Sequence, residues 1–406
     1  MFGPGDPIPS LLARSASNPR YALDSVAGRY IVMTFIASTR IPGIMTFLQQ
    51  LYGNAGPFDD VFASAFIISN DPQDESERRL GDRYPGLRIL WDDQHILAHT
   101  FGCLTKNDEE NARLSLTTWI LDPALRVLRV IPIENPTTHY AEICACLSEL
   151  PSPAEDVSSW APVLQVPNLI EPALCQEYIA YCEMHGAHDS GYMKTDPATG
   201  ATVMVVDHHH KRRSDCNIEE GALRDALQAR IYRRLVPQIQ RAFQFSVSRM
   251  ERYLIARYDA GTGGYFRPHK DNTTLGTAHR RFAVSINLNA EDYDGGDLRF
   301  PEFGMRTYRP PTGGAIVFSC SLLHEATPIT RGSRYCILPF LYDEAAAALR
   351  LENAQYLADE ELRKNVIESV TAKPASGTCR PPTKTSIAEA RPKAASKPRA
   401  KKRAAA

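Results

Sequence analysis

The 406-residue chain contains no CxxC pair, and its nine cysteines are scattered and odd in number. A disulfide framework is therefore disfavoured, and reduced thiols in a cytoplasmic setting are expected. No stretch of 18 apolar residues exists, which argues against a helical membrane span. Residues 1–10 hold Gly and Pro but no basic segment leading into an apolar run, so no secretory signal is expected. With 43% hydrophobic and 23% charged residues the composition is that of a globular protein, long enough for two or three domains.

The net charge of −1 hides an asymmetry. Residues 371–406 carry ten Lys/Arg against Glu389 alone, a net of +9, so the remainder of the chain is net −10. This Ala/Pro/Lys tail cannot bury enough apolar surface to offset its ordering entropy and is expected to be disordered. It offers weak binding to nucleic acid or another polyanion through phosphate neutralisation; a solubilising role is equally compatible.

Residues 1–150 alternate apolar strands with helical stretches. YIVMTFIA at 30–37, VFASAFIIS at 61–69 and 87–91 read as strands, with a helix opened by Ile41-Pro42 and a charged helix over 75–84. Strands over 114–121 and 125–133 and a helix over 138–150 complete an α/β sandwich. The entry GDPIPS, the strand YIVMTFIA and the hairpin TTWILDPALRVLRV resemble the peroxiredoxins, which have a thioredoxin-like fold. That family places a nucleophilic Cys just after the first core strand. Here the loop reads IASTRIPGIM and has none, so the domain is expected to be catalytically silent. Cys144 and Cys146 lie two apart on the closing helix, point in different directions, and read as ordinary thiols.

Residues 151–160 (PSPAEDVSSW) form a linker, and 161–348 a second domain. Helices over 172–184 and 223–243 precede short alternating strands, so helices outside a two-sheet β core are expected, followed by a helical extension over 349–370. His269-Lys270-Asp271 follows the strand ERYLIARY and the glycine-rich turn 259–264. On an extended segment, residues two apart share a face, so His269 and Asp271 can reach one metal ion. His324, just past the strand AIVFS, offers the third ligand. Two His and one carboxylate hold one face of an octahedral iron(II) and leave the others open. Arg334, ten residues on, is suited to pair with the far carboxylate of 2-oxoglutarate. Arg331 competes for that role, but Gly332 suggests a turn at Arg331 and a strand beginning with Arg334.

RYDAGTGGYFRPHKD, RFAVSINLN, DGGDLRF and PPTGGAIVFSCSLLHEATPITRGSRY together resemble the prolyl 4-hydroxylase-like iron(II)/2-oxoglutarate-dependent dioxygenases over about residues 252–342. The resemblance implies a double-stranded β-helix (jelly-roll) with iron at its open end, Fe(II), 2-oxoglutarate and O2 as reactants, and L-ascorbate as a companion reductant. It implies a hydrogen bond from Tyr258 to the co-substrate. Asn287, on the small polar face of the strand 282–289, is a further candidate contact, although some relatives carry an aromatic hydroxyl there. The loop HHHKRR at 208–213 corresponds to one lying over the active-site mouth, making His210, Arg212 and Arg213 candidate substrate-facing residues; a solvated basic loop is the alternative. His185 and His279 have no partner pattern. The expected activity is hydroxylation of a peptidyl, including prolyl, or small-molecule substrate with release of succinate and CO2. Because Asp271 keeps the third ligand position filled, halogenation is disfavoured. A non-catalytic metal-binding recognition or sensor module is the alternative from another class, and the basic tail alone suggests a nucleic-acid demethylase.

Overall fold

A computed structural model describes residues 2–371 apart from 55, 106–112, 156 and 158; the basic tail from 372 onward, with Cys379, lies outside the described residues. The N-terminal half is built on the strand Tyr30–Ala37, whose apolar run is buried on both faces. Parallel neighbours Ala63–Ser69 and then Leu87–Trp91 lie on one side, and the antiparallel hairpin Thr117–Leu121 and Val127–Pro132 on the other. Alternation along the central strand sends Val32 and Ile36 to one face and Ile31, Met33 and Phe35 to the opposite one.

The first face packs against the helices Ile44–Gly53 and Pro136–Ser148. Ile44, Phe47, Leu48 and Leu51 recur at helical spacing and are all buried. The second helix starts at Pro136, where a missing N–H costs nothing, behind Asn135, whose carboxamide oxygen accepts from Thr137 N at 3.0 Å. The second face is covered by the helix Ile96–Phe101 and by the segment before the first core strand, with Leu23 and Val26. The arrangement is a thioredoxin-like mixed α/β sheet.

The charged stretch 75–84 is not the helix its composition suggests. Only Pro72–Ser76 is helical. Asp74 is fully buried and takes hydrogen bonds from Thr39 N, Thr39 Oγ1 and Ser69 Oγ. Arg79 folds back onto the same carboxylate at 3.2 Å, and Arg78 adopts a left-handed φ of 52°. The buried carboxylate outweighs the propensity of exposed charged residues.

The C-terminal half contains two facing antiparallel sheets. The larger runs in the order Leu164–Val166, Ala315–Ser319, Phe282–Asn287, Ser333–Ile337, Leu254–Asp259, Ser214–Asn217, His188–Asp189. The smaller runs Lys211–Arg212, Tyr265–His269, His324–Ala326, Leu298–Arg299, Thr307–Tyr308. Outside the larger sheet lie Pro172–His185 and a long helix from Ala222 to Phe243. Leu227, Ile231, Leu235 and Ile239 all have 0% exposure, so fourfold spacing marks the buried stripe. This helix widens into a π turn over Ile231–Leu235 just before Pro237, which cannot donate a backbone hydrogen bond and crowds the preceding turn. Two further helices, Glu344–Asn353 and Glu360–Thr371, follow the last strand. The two halves make one compact unit, and Leu323 of the second is buried in the apolar core of the first.

Candidate metal centre and its cavity

His269 and His324 are direct partners in an antiparallel register, so both imidazoles project from one face of the smaller sheet. Asp271 lies just beyond, its backbone N–H bonded to Cys320 O at 3.0 Å. One ligand atom from each of His269, Asp271 and His324 lies within 4.8 Å of the others. The carboxylate oxygens of Asp271 sit 3.7 Å from His269 Nε2 and 3.3 Å from His324 Nε2.

The far side of each ring is fixed. His269 Nδ1 donates to Arg267 O at 2.8 Å, and His324 Nδ1 donates to Leu322 O at 2.9 Å. A carbonyl only accepts, so both Nδ1 atoms carry the proton and both Nε2 lone pairs face inward, the tautomer a metal ligand needs. Phe266 stacks on His269 with centroids 3.5 Å apart, and Phe318 packs edge-on to His324 at 4.6 Å. Burial, with His324 beside it, holds the His269 pKa well below its ordinary value, so the ring is neutral and free to bind metal. Two neutral imidazoles and one carboxylate, with no thiolate in the set, fit iron(II).

The triad opens into a cavity of about 1170 Å³ between the sheets. Arg334 lies at its inner end, 4% exposed. Its Nη1 donates to Gly296 O at 2.6 Å, and its Nη2 to Ser285 Oγ at 2.8 Å and Asn287 Oδ1 at 3.3 Å. Its Nε has no hydrogen-bond partner among the described residues. A buried guanidinium whose direct hydrogen-bond partners are all neutral, with the Asp297 carboxylate acting only at longer range, is a strong site for an anion. Arg331, by contrast, is 62% exposed and paired with Asp294 at 2.6 Å.

Tyr258 is buried between two cations, with the Arg334 and Arg213 guanidinium carbons 5.5 and 5.8 Å from its ring centre. Asn287 is also buried but does not line the cavity; its carboxamide is engaged by Pro310 O and Arg334, and Ser285 is the residue of that strand facing the open space. Ser285 shares a face with Asn287, so strand alternation picks out both positions and does not separate them.

The basic loop divides by the same rule. Lys211 and Arg213 point inward and Arg212 outward. Arg212 lies away from the cavity, donating to His208 O and Thr262 O. Arg213 pairs with Asp215 at 2.7 Å and donates to Ser190 Oγ. His210 lines the cavity between Tyr192 and Phe266. Lys211, absent from the sequence-based candidates, is 3% exposed and donates to Ser190 Oγ and Gly191 O. Burial, with Arg213 close by, pushes its pKa down to about 6.

The isolated histidines are also placed. His279 contacts Glu251 at 3.1 Å, a buried carboxylate also held by Arg280 and Arg350. His185 stacks on Tyr181. In the N-terminal half, the loop after the first core strand presents Ser38 and Thr39, bonded to Asp71 and Asp74. Cys103 is fully buried, with its thiol pushed up to about 12 by burial and by Asp92.

Residues 253–342 match the 2OG-Fe(II) oxygenase superfamily. A PKHD-type hydroxylase of Synechococcus sp. is 32% identical over 94 residues, which are 22% of this chain and 41% of that protein. The multifunctional procollagen lysine hydroxylase and glycosyltransferase LH3 of Rattus norvegicus is 27% identical over 180 residues, 43% of this chain and 22% of that protein. The chain thus spans less than half the length of these curated relatives. Among solved structures, the peroxidoxin BcpB of Mycobacterium tuberculosis is 22% identical with a TM-score of 0.32, covering 37% of this chain and all of that one. The stretch 253–342 is thus similar in sequence to 2OG-Fe(II) oxygenases, PKHD-type hydroxylases among them. No helix among the described residues is long and apolar enough to cross a membrane.

Proposed function

We propose that the chain is an iron(II)- and 2-oxoglutarate-dependent dioxygenase that hydroxylates a peptidyl substrate, with a prolyl residue as one candidate. The carrying observation is the combination of a tautomer-fixed His269/Asp271/His324 triad with a buried Arg334 whose direct hydrogen-bond partners are all neutral. In this reading the two Nε2 atoms and the Asp271 carboxylate hold the metal, and Arg334 binds the far carboxylate of 2-oxoglutarate, helped by Ser285 and Tyr258. When bound, the metal and co-substrate supply the oxidising chemistry, with succinate and CO2 as products.

The protein positions and shields. Phe266 and Phe318 wall the two imidazoles from water, and Arg267 O and Leu322 O keep each ring from turning. His210 and Arg213 line the route from the metal to the wider cavity, where the substrate would lie. A peptidyl substrate is favoured by the cavity's size, well beyond the needs of a five-carbon diacid, and by the hydroxylases this domain resembles.

The same proposal takes the two-sheet core as a double-stranded β-helix and the division as 1–150, 161–348 and a helical extension over 349–370. It assigns no peroxidase activity to the first domain. It includes ascorbate as a reductant and a cytoplasmic location, in keeping with eight described cysteines that are all free. Weak polyanion binding is assigned to the tail. Anaerobic Fe(II) titration with succinate release from 2-oxoglutarate is the test. Wild-type protein should bind and turn over, and His269→Ala and Asp271→Ala should lose both; a wild-type chain that binds no Fe(II) would overturn the proposal.

A further inference from the structure

The thioredoxin-like domain touches the metal centre at the residues that alternate with its ligands. In His269-Lys270-Asp271 the strand ends at His269, and Lys270, between the two candidate ligands, reaches along the cavity wall toward the N-terminal half. There it meets Asp24 of the N-terminal half, Nζ to Oδ2 at 2.8 Å, with side chains only 10% and 16% exposed. Ser10 Oγ donates to the same Asp24 oxygen at 2.7 Å and fixes its rotamer.

The third ligand is held likewise. Leu323, immediately before His324, is fully buried in the first domain's core, whose residues include Leu23 and Val26. A third contact lies at Gly28, with φ of 95°, where a Cβ would come within 2.5 Å of Pro301. Pro301 follows Phe300, which packs on Phe318 and lies near the His324 ring. The segment Ser10, Leu12, Asn18, Arg20, Tyr21 and Asp24 also lines the cavity.

We infer that the N-terminal domain is a working part of the dioxygenase site: Asp24 is a positioning residue that sets the metal-binding geometry of His269 and Asp271 through Lys270, and its segment forms a wall of the substrate cleft. The inference rests on the metal-site reading above. The pair is shielded and its carboxylate is pinned, so breaking it leaves Lys270 as a nearly buried cation without its directly bonded counter-charge, with only the more distant Glu302 carboxylate acting on it. The ligand-bearing strand then relaxes to rehydrate that amine, and ligand geometry loosens.

The test uses the full chain without metal, titrated anaerobically with Fe(II) alone by calorimetry. Asp24→Asn is nearly isosteric and should weaken Fe(II) binding about tenfold, the lower end for residues supporting metal ligands. Lys270→Met should do the same, and the double substitution should be no worse than the weaker single, because the two act as one unit. Asp24→Glu should recover part of the affinity. Equal Fe(II) affinity in wild type and Asp24→Asn would overturn the inference. So would a lowered urea midpoint of the metal-free protein with unchanged affinity, since the pair would then only dock the domains. Absence of Fe(II) binding by the wild-type chain would instead remove the metal-site reading itself.

Discussion

Replacing Arg334 with Met isolates the co-substrate end of the site from the metal end. The guanidinium is almost fully buried and its hydrogen bonds run only to Gly296 O, Ser285 Oγ and Asn287 Oδ1. A carboxylate arriving there gains charge-assisted hydrogen bonds, each worth about 1.5–3 kcal/mol net. Losing one to two of them costs about 3 kcal/mol, or roughly a hundredfold in the Kd for 2-oxoglutarate. The variant without ligands should change in stability by less than about 1 kcal/mol, because a costly buried charge disappears along with its hydrogen bonds. Fe(II) affinity should stay near that of wild type, since Arg334 is not a ligand. The assay is anaerobic calorimetry of 2-oxoglutarate into Fe(II)-loaded protein, alongside Arg331→Met as a control. Arg331 is exposed and already paired with Asp294, so its loss should change 2-oxoglutarate affinity less than about threefold, as for an exposed ion pair. Wild-type-like affinity in Arg334→Met, or an equal loss in Arg331→Met, would refute the assignment.

Further outcomes follow from the first domain. Burial holds the His139 pKa below its ordinary 6.5, despite Glu142 nearby, and its Nε2 sits 2.7 Å from Thr118 Oγ1. Below pH 6.5 the unfolded chain therefore binds a proton that the folded one resists, so stability falls as pH drops through this window. Urea midpoints between pH 7.5 and about 5 should show a shallower slope in His139→Gln than in wild type, and matching slopes would exclude this source of pH dependence. Cys103 should resist thiol reagents in the native protein, and Cys103→Ser should leave hydrogen peroxide consumption at background, because a buried thiol with a pKa near 12 supplies no thiolate. Peroxide turnover that depends on Cys103 would overturn that expectation.

Local periodicity carried much of the architecture. The strand Tyr30–Ala37 and the buried helical stripe from Leu227 to Ile239 coincide with their sequence patterns, because each buries a continuous apolar face. Period two also explains why Arg212 points away while Lys211 and Arg213 point in. The stretch 75–84 was not legible, since its conformation answers to a carboxylate buried among hydroxyls from elsewhere in the chain. The environment of Arg334 was likewise invisible, for an arginine whose direct partners are all neutral owes that to everything packed around it.

By itself, then, the sequence picked out the residues that could hold a metal: His269 and Asp271 two apart, His324 on a later strand, and a cation ten residues beyond. What only the tertiary structure decided is what stands behind them. Asp24 and Lys270 are 246 residues apart, and Leu323 enters a core made by the other end of the chain. Such contacts leave no local period to read, because they exist only once two separately patterned domains have closed their surfaces against each other.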